Sequence, residues 1–387
     1  MKKISTYDIN KKYRRRKKRH TWKYELFTAL FAAVLILCAY AGKINPSGFF
    51  PAPFLTLAYM PMLIVALLFL LVTLLCRRWL AALVIIAAFV LTLPVFRLYV
   101  PLNNPENAPA MPAEPSMLLK VMTYNVLAFN YNEPKIGSSP SETMKLILDN
   151  DPDVVVLQEG TPGGVSWEQI PSVKPYVNEV KTRYPYCYFG VEGLNLMSKY
   201  PFTAQSVGDV QYTRSVLGFN RNQAAYVART FDLQLPSGKQ LRLVDFRLQS
   251  YHLSFGKNRY VRISPDVKPA PLERMRRSFG LRDDDARTLR QAIDKSPANV
   301  IVCGDMNDVP SSHVYRVIRG EDLNDAWVEV GNGYAYTFNR HNLPYRIDNV
   351  LYRGDITAVA AQRLKGGSSD HYPLLVTFDI DVSNSKK

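Results

Sequence analysis

The stretch Val300-Ile301-Val302-Cys303-Gly304-Asp305-Met306-Asn307-Asp308-Val309-Pro310 decides how the rest of the chain is read. Its first four residues form a short apolar run rich in β-branched side chains, which reads as a buried strand. An acid, Asp305, and an amide, Asn307, stand at its end. The arrangement recurs along the chain. Asn125 follows Lys120-Val121-Met122-Thr123-Tyr124, Glu159 follows Val154-Val155-Val156-Leu157-Gln158, and Asp370-His371 precede Tyr372-Pro373-Leu374. Parallel and mixed sheets gather strand ends at one edge, so these groups are expected to converge on one cleft. Oxygen ligands of this kind suit a hard cation, magnesium or manganese. Any one of them alone is more often a helix cap or a solvated turn; the set carries the argument.

Around these motifs, short apolar strands alternate with amphipathic helices. Strands are expected at Val121 to Val126, Val154 to Leu157, Tyr226 to Leu235, Leu241 to Arg247, Val300 to Cys303, Ile347 to Tyr352 and Leu374 to Phe378. Helices are expected from Glu142 to Leu148, capped by Ser141, and from Asp284 to Lys295. Tyr251 to Arg274 reads as a long loop. No internal repeat is found, and the mixture argues for one large α/β domain.

The order of the motifs is more specific than any one of them. Thr123-Tyr124-Asn125-Val126, Leu157-Gln158-Glu159, Ser198-Lys199-Tyr200-Pro201, Gly304 to Pro310, Arg346-Ile347-Asp348 and Ser369-Asp370-His371-Tyr372-Pro373 together resemble the endonuclease/exonuclease/phosphatase superfamily, from about Leu118 to Ile380. The resemblance implies an α/β fold of two packed β-sheets flanked by helices, a four-layer sandwich. It implies Glu159, Asn125 and Asp370 at or near a Mg2+ or Mn2+ ion. It implies Asp305 orienting or deprotonating water, Asn307 holding the phosphate, and His371 contacting the scissile phosphate with Asp348 behind its ring. Such chemistry needs a cation to neutralise developing charge, a positioned water and a donor to the non-bridging oxygen.

One position departs from the pattern. Superfamily members commonly carry His-Leu at the end of a central strand, where this chain reads Arg247-Leu248-Gln249-Ser250. Arg247 therefore takes the histidine position, unless His252 is brought back into it. The expected activity is hydrolysis of a phosphoester, in nucleic acid, phospholipid or sugar phosphate. The alternative is a catalytically impaired phosphate-binding or scaffold protein, because arginine cannot exchange protons near neutrality.

The N-terminal third has a different character. Leu26 to Gly42, Phe54 to Cys76 and Trp79 to Phe96 are apolar runs without a charge, and the last two are long enough to cross a bilayer. Eleven Lys or Arg precede the first run, and Arg77-Arg78 separate the second and third. By the positive-inside rule these basic segments are cytoplasmic, so three crossings leave the C-terminal domain periplasmic or extracellular. Ala39-Tyr40-Ala41 also fits a signal-peptide cleavage site, which would leave that outcome unchanged. A transporter finds no support, because no charge lies within the runs.

The boundaries expected are a basic N-terminus at 1–25, a membrane region at 26–100, a Pro-rich linker at 101–117, the catalytic domain at 118–380 and a tail at 381–387. The formal charge of +15 is mostly a topology signal: residues 1–100 hold 15 basic and 2 acidic residues, leaving 33 basic against 31 acidic in the remainder. That near balance is weak support for nucleic acid. Arg274, Arg276, Arg277 and Arg282 form one local basic cluster, either a phosphate-binding surface or a solvated helix face. Four cysteines indicate no disulfide framework.

Overall fold

The structure, a computed structural model, describes residues 6–103, 116–131, 139–161, 165–190, 193–207, 228–250, 271–338 and 344–381. The chain forms two compact units, Met1–Phe96 and Arg97–Lys387.

The first unit consists of helices that begin at Thr6, Ala52 and Trp79. Trp22–Lys43, Ala52–Leu75 and Trp79–Tyr99 are each long and apolar enough to cross a membrane. Leu67, Leu68, Leu83 and Val90 are exposed. Such an apolar exterior suits lipid and is unusual against water. Contacts within the unit are aromatic and polar: Phe69 packs its ring 5.5 Å from Phe31 and 5.7 Å from Phe27, and Tyr40 Oη donates to the Leu91 carbonyl at 2.6 Å.

The second unit contains two six-stranded mixed sheets. The strands are β1 (Ser116–Asn125), β2 (Val154–Gln158), β3 (Tyr186–Phe189), β4 (Asn195–Ser198), β5 (Phe202–Val207), β6 (Ala228–Gln234), β7 (Gln240–Arg247), β8 (Val300–Asp305), β9 (Asn324–Asp325), β10 (Asp348–Arg353), β11 (Ile356–Arg363) and β12 (Leu374–Asp381). One sheet runs β11-β12-β1-β2-β4-β3, the other β5-β6-β7-β8-β10-β9. At its start, Tyr99 Oη and Ser311 Oγ share a hydrogen bond of 2.6 Å, and Asn103 Nδ2 donates to the carbonyls of Val328 and Gly331. The linker expected at 101–117 falls mostly on residues 104–115, which lie outside the described residues.

Alternation along the strands builds the layers. Val121, Val154 and Val156 face the inter-sheet core with Leu243, Ile301, Cys303 and Val350. Their neighbours Met122, Val155 and Leu157 face outward onto the helix Glu142–Asn150 and Val177–Arg183, through Met144, Ile147, Leu148 and Val180. On the far side, Val244, Val300 and Val302 pack against Ala286, Leu289 and Ile293 of the helix Pro271–Asp294. Side chains of successive residues point to opposite faces, so both sheets are covered twice and the four-layer sandwich results.

Two expectations need correction. The helix expected from Asp284 begins at Pro271, so residues 271–274 are helical rather than part of a long loop; residues 251–270 lie outside the described residues. Arg282, read as part of either a phosphate-binding surface or a solvated helix face, is fully buried. It occupies the inward stripe Phe279, Arg282, Ala286, Leu289, Ile293, whose three- and four-residue spacing marks one helix face. Elsewhere in the cluster, Arg276 is exposed and Arg277 pairs with Glu273 at 3.0 Å. All four cysteines are free.

Candidate active site

The site forms where the two sheets bring the same kind of strand end to one edge. β1 and β2 are parallel, with Asn125 opposite Gln158; β7 and β8 are parallel, with Arg247 opposite Asp305. Their C-terminal ends therefore lie together. Antiparallel neighbours contribute their beginnings to the same edge: Asp348 opens β10 opposite Asp305, and β12, which follows His371, pairs with β1.

Hydrogen bonds join these side chains across the sheets. Asn125 Nδ2 donates to Glu159 Oε1 and to Asp305 Oδ2, each at 3.1 Å. Asn307 donates its backbone N–H to Asp305 Oδ1 at 2.8 Å, and its Nδ2 to Asp305 Oδ2 at 3.0 Å and the Leu248 carbonyl at 2.9 Å. Both amide hydrogens of Asn307 are thus engaged in holding Asp305 and Leu248. Asp348 Oδ2 lies 2.8 Å from His371 Nδ1. Ser369 links the histidine segment to β1: its Oγ donates to the Asn125 carbonyl at 2.7 Å and accepts from His371 N–H at 3.1 Å.

Backbone strain accompanies the polar network. Glu159 and Asn307 are held at φ 51° and 49°, a left-handed conformation that costs a non-glycine residue about 1 kcal/mol or more. Gly304 has φ 154°, and a Cβ there would lie 2.0 Å from the Phe246 carbonyl oxygen. Only glycine lets β8 approach β7 closely enough to set Asp305 beside Arg247.

Burial and charge shape the titrating groups. Burial, reinforced by Asp348, raises the Asp305 carboxyl to about 6, against the opposing pull of His371, Arg247 and the Asn307 amide. Burial works against a charged His371, but Asp348, Asp305 and Asp370 outweigh it and lift the imidazole to about 10. One ligand atom from each of Asp305, Asp348 and His371 lies within 4.8 Å of the others. Within this group His371 Nδ1 is already engaged by Asp348 Oδ2 at 2.8 Å. The carboxylate oxygens of Glu159 and Asp305, joined by Asn125 Nδ2, are of the kind that suits a hard divalent cation. Two observations agree: Asp305 and Asp348 crowd negative charge into a buried place, and Glu159 already holds a cation, the Arg247 guanidinium, with Nη2 2.6 Å from Oε1.

All eight sequence-predicted residues, Asn125, Glu159, Arg247, Asp305, Asn307, Asp348, Asp370 and His371, belong to this edge. Asp370 enters through its charge on His371. His252 lies outside the described residues.

Several supporting residues escaped the sequence reading. Thr337 Oγ1 accepts from the N–H groups of Ile347 and Asp348, both at 3.0 Å, and so fixes the entry into β10. Arg282 donates to the Asn307 carbonyl, and buried Arg346 donates to Asp325 and Asn349. Below the site, Gln158 Nε2 donates to buried Asp245 at 2.7 Å, joining the two sheets through the core. Three carried a prior signal: Gln158 and Arg346 as parts of the Leu157-Gln158-Glu159 and Arg346-Ile347-Asp348 motifs, and Arg282 as a member of the basic cluster. Phe338 packs its ring 5.1 Å from that of His371 and gives the site an aromatic wall.

The profile of the Endonuclease/Exonuclease/phosphatase family matches residues 122–371, and that of a domain of unknown function matches residues 24–99. A search of curated proteins gives no match. Among solved structures, the chain is similar to an endonuclease/exonuclease/phosphatase from Beutenbergia cavernae, with 19% identity, TM-score 0.44 and coverage of 68% of this chain and 72% of that one. It is similar to the human Nocturnin catalytic domain, with 19% identity, TM-score 0.42 and coverage of 68% and 97%. It is also similar to sphingomyelinase C from Streptomyces griseocarneus, with 17% identity, TM-score 0.43 and coverage of 69% and 100%. With its profile matched over most of the length of the chain, the protein belongs to the endonuclease/exonuclease/phosphatase family.

Proposed function

We propose that this protein is a membrane-anchored, divalent-metal-dependent phosphoester hydrolase whose catalytic domain faces the periplasm or the cell exterior. The observation that carries the reading is the bond from one amide, Asn125 Nδ2, to both Glu159 and Asp305, which joins the two sheets' carboxylates into one oxygen-rich site. The orientation rests on the basic residues before the first apolar run and on Arg77-Arg78.

Glu159 would hold the cation, with Asn125 and Asp370 beside it. When bound, a Mg2+ or Mn2+ ion supplies electrostatic stabilisation of the charge that develops on the phosphoryl oxygens. The chain's own residues divide the remaining work. Asp305, raised by burial to about 6, is ionised at neutral pH yet basic enough to orient and deprotonate the attacking water. Asn307 keeps that carboxylate in place through two hydrogen bonds. His371, kept protonated by Asp348, donates to a non-bridging oxygen of the phosphate. Water oxygen bonds to phosphorus, the bond to the leaving oxygen breaks, and the water's proton goes to Asp305. Arg247 stays charged and gives the leaving oxygen no proton, so substrates with good leaving groups are favoured.

The substrate is a phosphoester of nucleic acid, phospholipid or sugar phosphate, with the near-neutral domain and the membrane anchor favouring the lipid. The test is a panel of single- and double-stranded DNA, RNA, sphingomyelin and inositol phosphates, given to the detergent-solubilised full chain with magnesium and with manganese. Hydrolysis of none, with either metal, would overturn the proposal. The Arg247–Glu159 ion pair favours a second reading, a phosphate-binding protein without turnover; binding of the panel without hydrolysis would establish it.

A further inference from the structure

Arg247 ends β7 at the edge that holds the site, and the structure shows what its charge meets there. Its Nη2 lies 2.6 Å from Glu159 Oε1, with the two side chains 32% and 29% exposed. The same oxygen accepts from Asn125 Nδ2. In the neighbouring strand Asp305 is paired in register with Arg247, at the same edge of the sheet. The guanidinium therefore holds the carboxylate to which the divalent cation has been assigned. Its fork is only partly used, since the buried Nε has no hydrogen-bond partner among the described residues.

We propose that Arg247 is a tethered competitor for the divalent cation: it neutralises Glu159 while the site is metal-free, and metal binding releases it to take an oxygen of the substrate's phosphate. The proposal rests on the metal-dependent reading above. Two cations on one carboxylate repel each other over a short distance through partly buried protein, where the interaction is stronger than in water. Either the ion is weakened or the arginine leaves. A freed guanidinium presents several rigid donors, and an anionic phosphate with multiple acceptor oxygens matches that fork. Metal and phosphoester then bind cooperatively, and linkage makes the effect reciprocal: the anion tightens the metal as much as the metal tightens the anion. A histidine at this position, largely neutral at pH 7.5, would compete far less. The arginine thus makes metal occupancy depend on the presence of phosphate.

The experiment measures Mn2+ binding by electron paramagnetic resonance on the detergent-solubilised full chain at fixed pH and ionic strength, with and without inorganic phosphate. Parent, Arg247→Met, Arg247→His and Glu159→Gln are compared. Without phosphate, Arg247→Met and Arg247→His should bind Mn2+ about tenfold more tightly than the parent, within the usual range of coupling between sites. Phosphate should tighten Mn2+ several-fold more in the parent than in either variant. Glu159→Gln should lose most of the affinity. Equal or weaker Mn2+ binding in both Arg247 variants, or undiminished phosphate coupling in them, overturns the proposal while leaving the metal-dependent reading intact. Absence of Mn2+ binding in every protein overturns both. If Arg247→Met does not fold, Arg247→His decides alone by the same criteria.

Discussion

His371 Nδ1 and Asp348 Oδ2 lie 2.8 Å apart in a fully buried pocket, and the pair makes the histidine a cation. Its folded value of about 10 stands above the ordinary 6.5. The pair therefore stabilises the fold fully below pH 6.5, and that contribution is lost as pH rises through 10. In metal-free protein the His371 ring should remain protonated at pH 8, read from its nitrogen chemical shifts and assigned with His371→Gln. Asp348→Asn should bring the transition down sharply. A parent ring that titrates near 6.5 would contradict the assignment.

Glu159→Ala and Asp305→Ala should each lower hydrolysis by about 10²–10³-fold or more, the usual scale for removing one electrostatic contributor. Far-UV circular dichroism should show both variants folded. Chelation with EDTA should silence the parent and added Mn2+ restore it. Near-parental rates in both variants would place the chemistry elsewhere.

Arg247→His should retain activity and acquire a new inflection near neutrality, because imidazole exchanges protons there and guanidinium does not. The parent's rate profile should lack that inflection. Arg247→Ala should raise KM and lower kcat together. If Arg247→Ala matched the parent on every substrate while His252→Ala was inactive, His252 would hold the family's histidine role instead.

A reporter fused after Lys387 should be active outside the cytoplasm. The expectation follows from the eleven basic residues ahead of the first apolar run and from Arg77-Arg78 between the second and third. Cytoplasmic alkaline phosphatase fusions are inactive and green fluorescent protein fusions fluoresce; that combination would reverse the topology.

Gly304→Ala should destabilise the domain by about 2–3 kcal/mol or more in urea unfolding, the scale of strain at a special backbone conformation. A methyl group there meets the Phe246 carbonyl oxygen at 2.0 Å. An unfolding midpoint equal to the parent's would show that β7 and β8 can separate without cost.

Seven strands were legible as apolar runs, and they are β1, β2, β6, β7, β8, β10 and β12, all in the interior of a sheet. β3, β4, β5, β9 and β11 were missed, and four of these are the sheet edges. For β5 and β3 the reason is exposure, whereas β4 is buried throughout and is simply short. β5 exposes the middle of Phe202–Val207, and β3 exposes both its ends, so neither needs an unbroken apolar pattern. An edge strand is defined by the neighbour it bonds to, and that neighbour is remote in sequence.

The site divides in the same way. Sequence alone determined the three apolar spans, the mixed α/β domain and the eight polar residues at strand ends, because hydrophobic period and local chain punctuation are written residue by residue. Tertiary structure decided what those residues do to one another. Asn307, expected to hold the phosphate, donates its Nδ2 hydrogens to Asp305 and the Leu248 carbonyl, bonds that no local pattern records. Arg282 lies among charged neighbours yet is buried against the Asn307 carbonyl. Arg247 meets Glu159 only because the parallel pairs β1–β2 and β7–β8 end at the same edge of two packed sheets. Charge, burial and hydrogen-bond partners are properties of positions in space, and no local pattern in the chain records which carboxylate an arginine will find there.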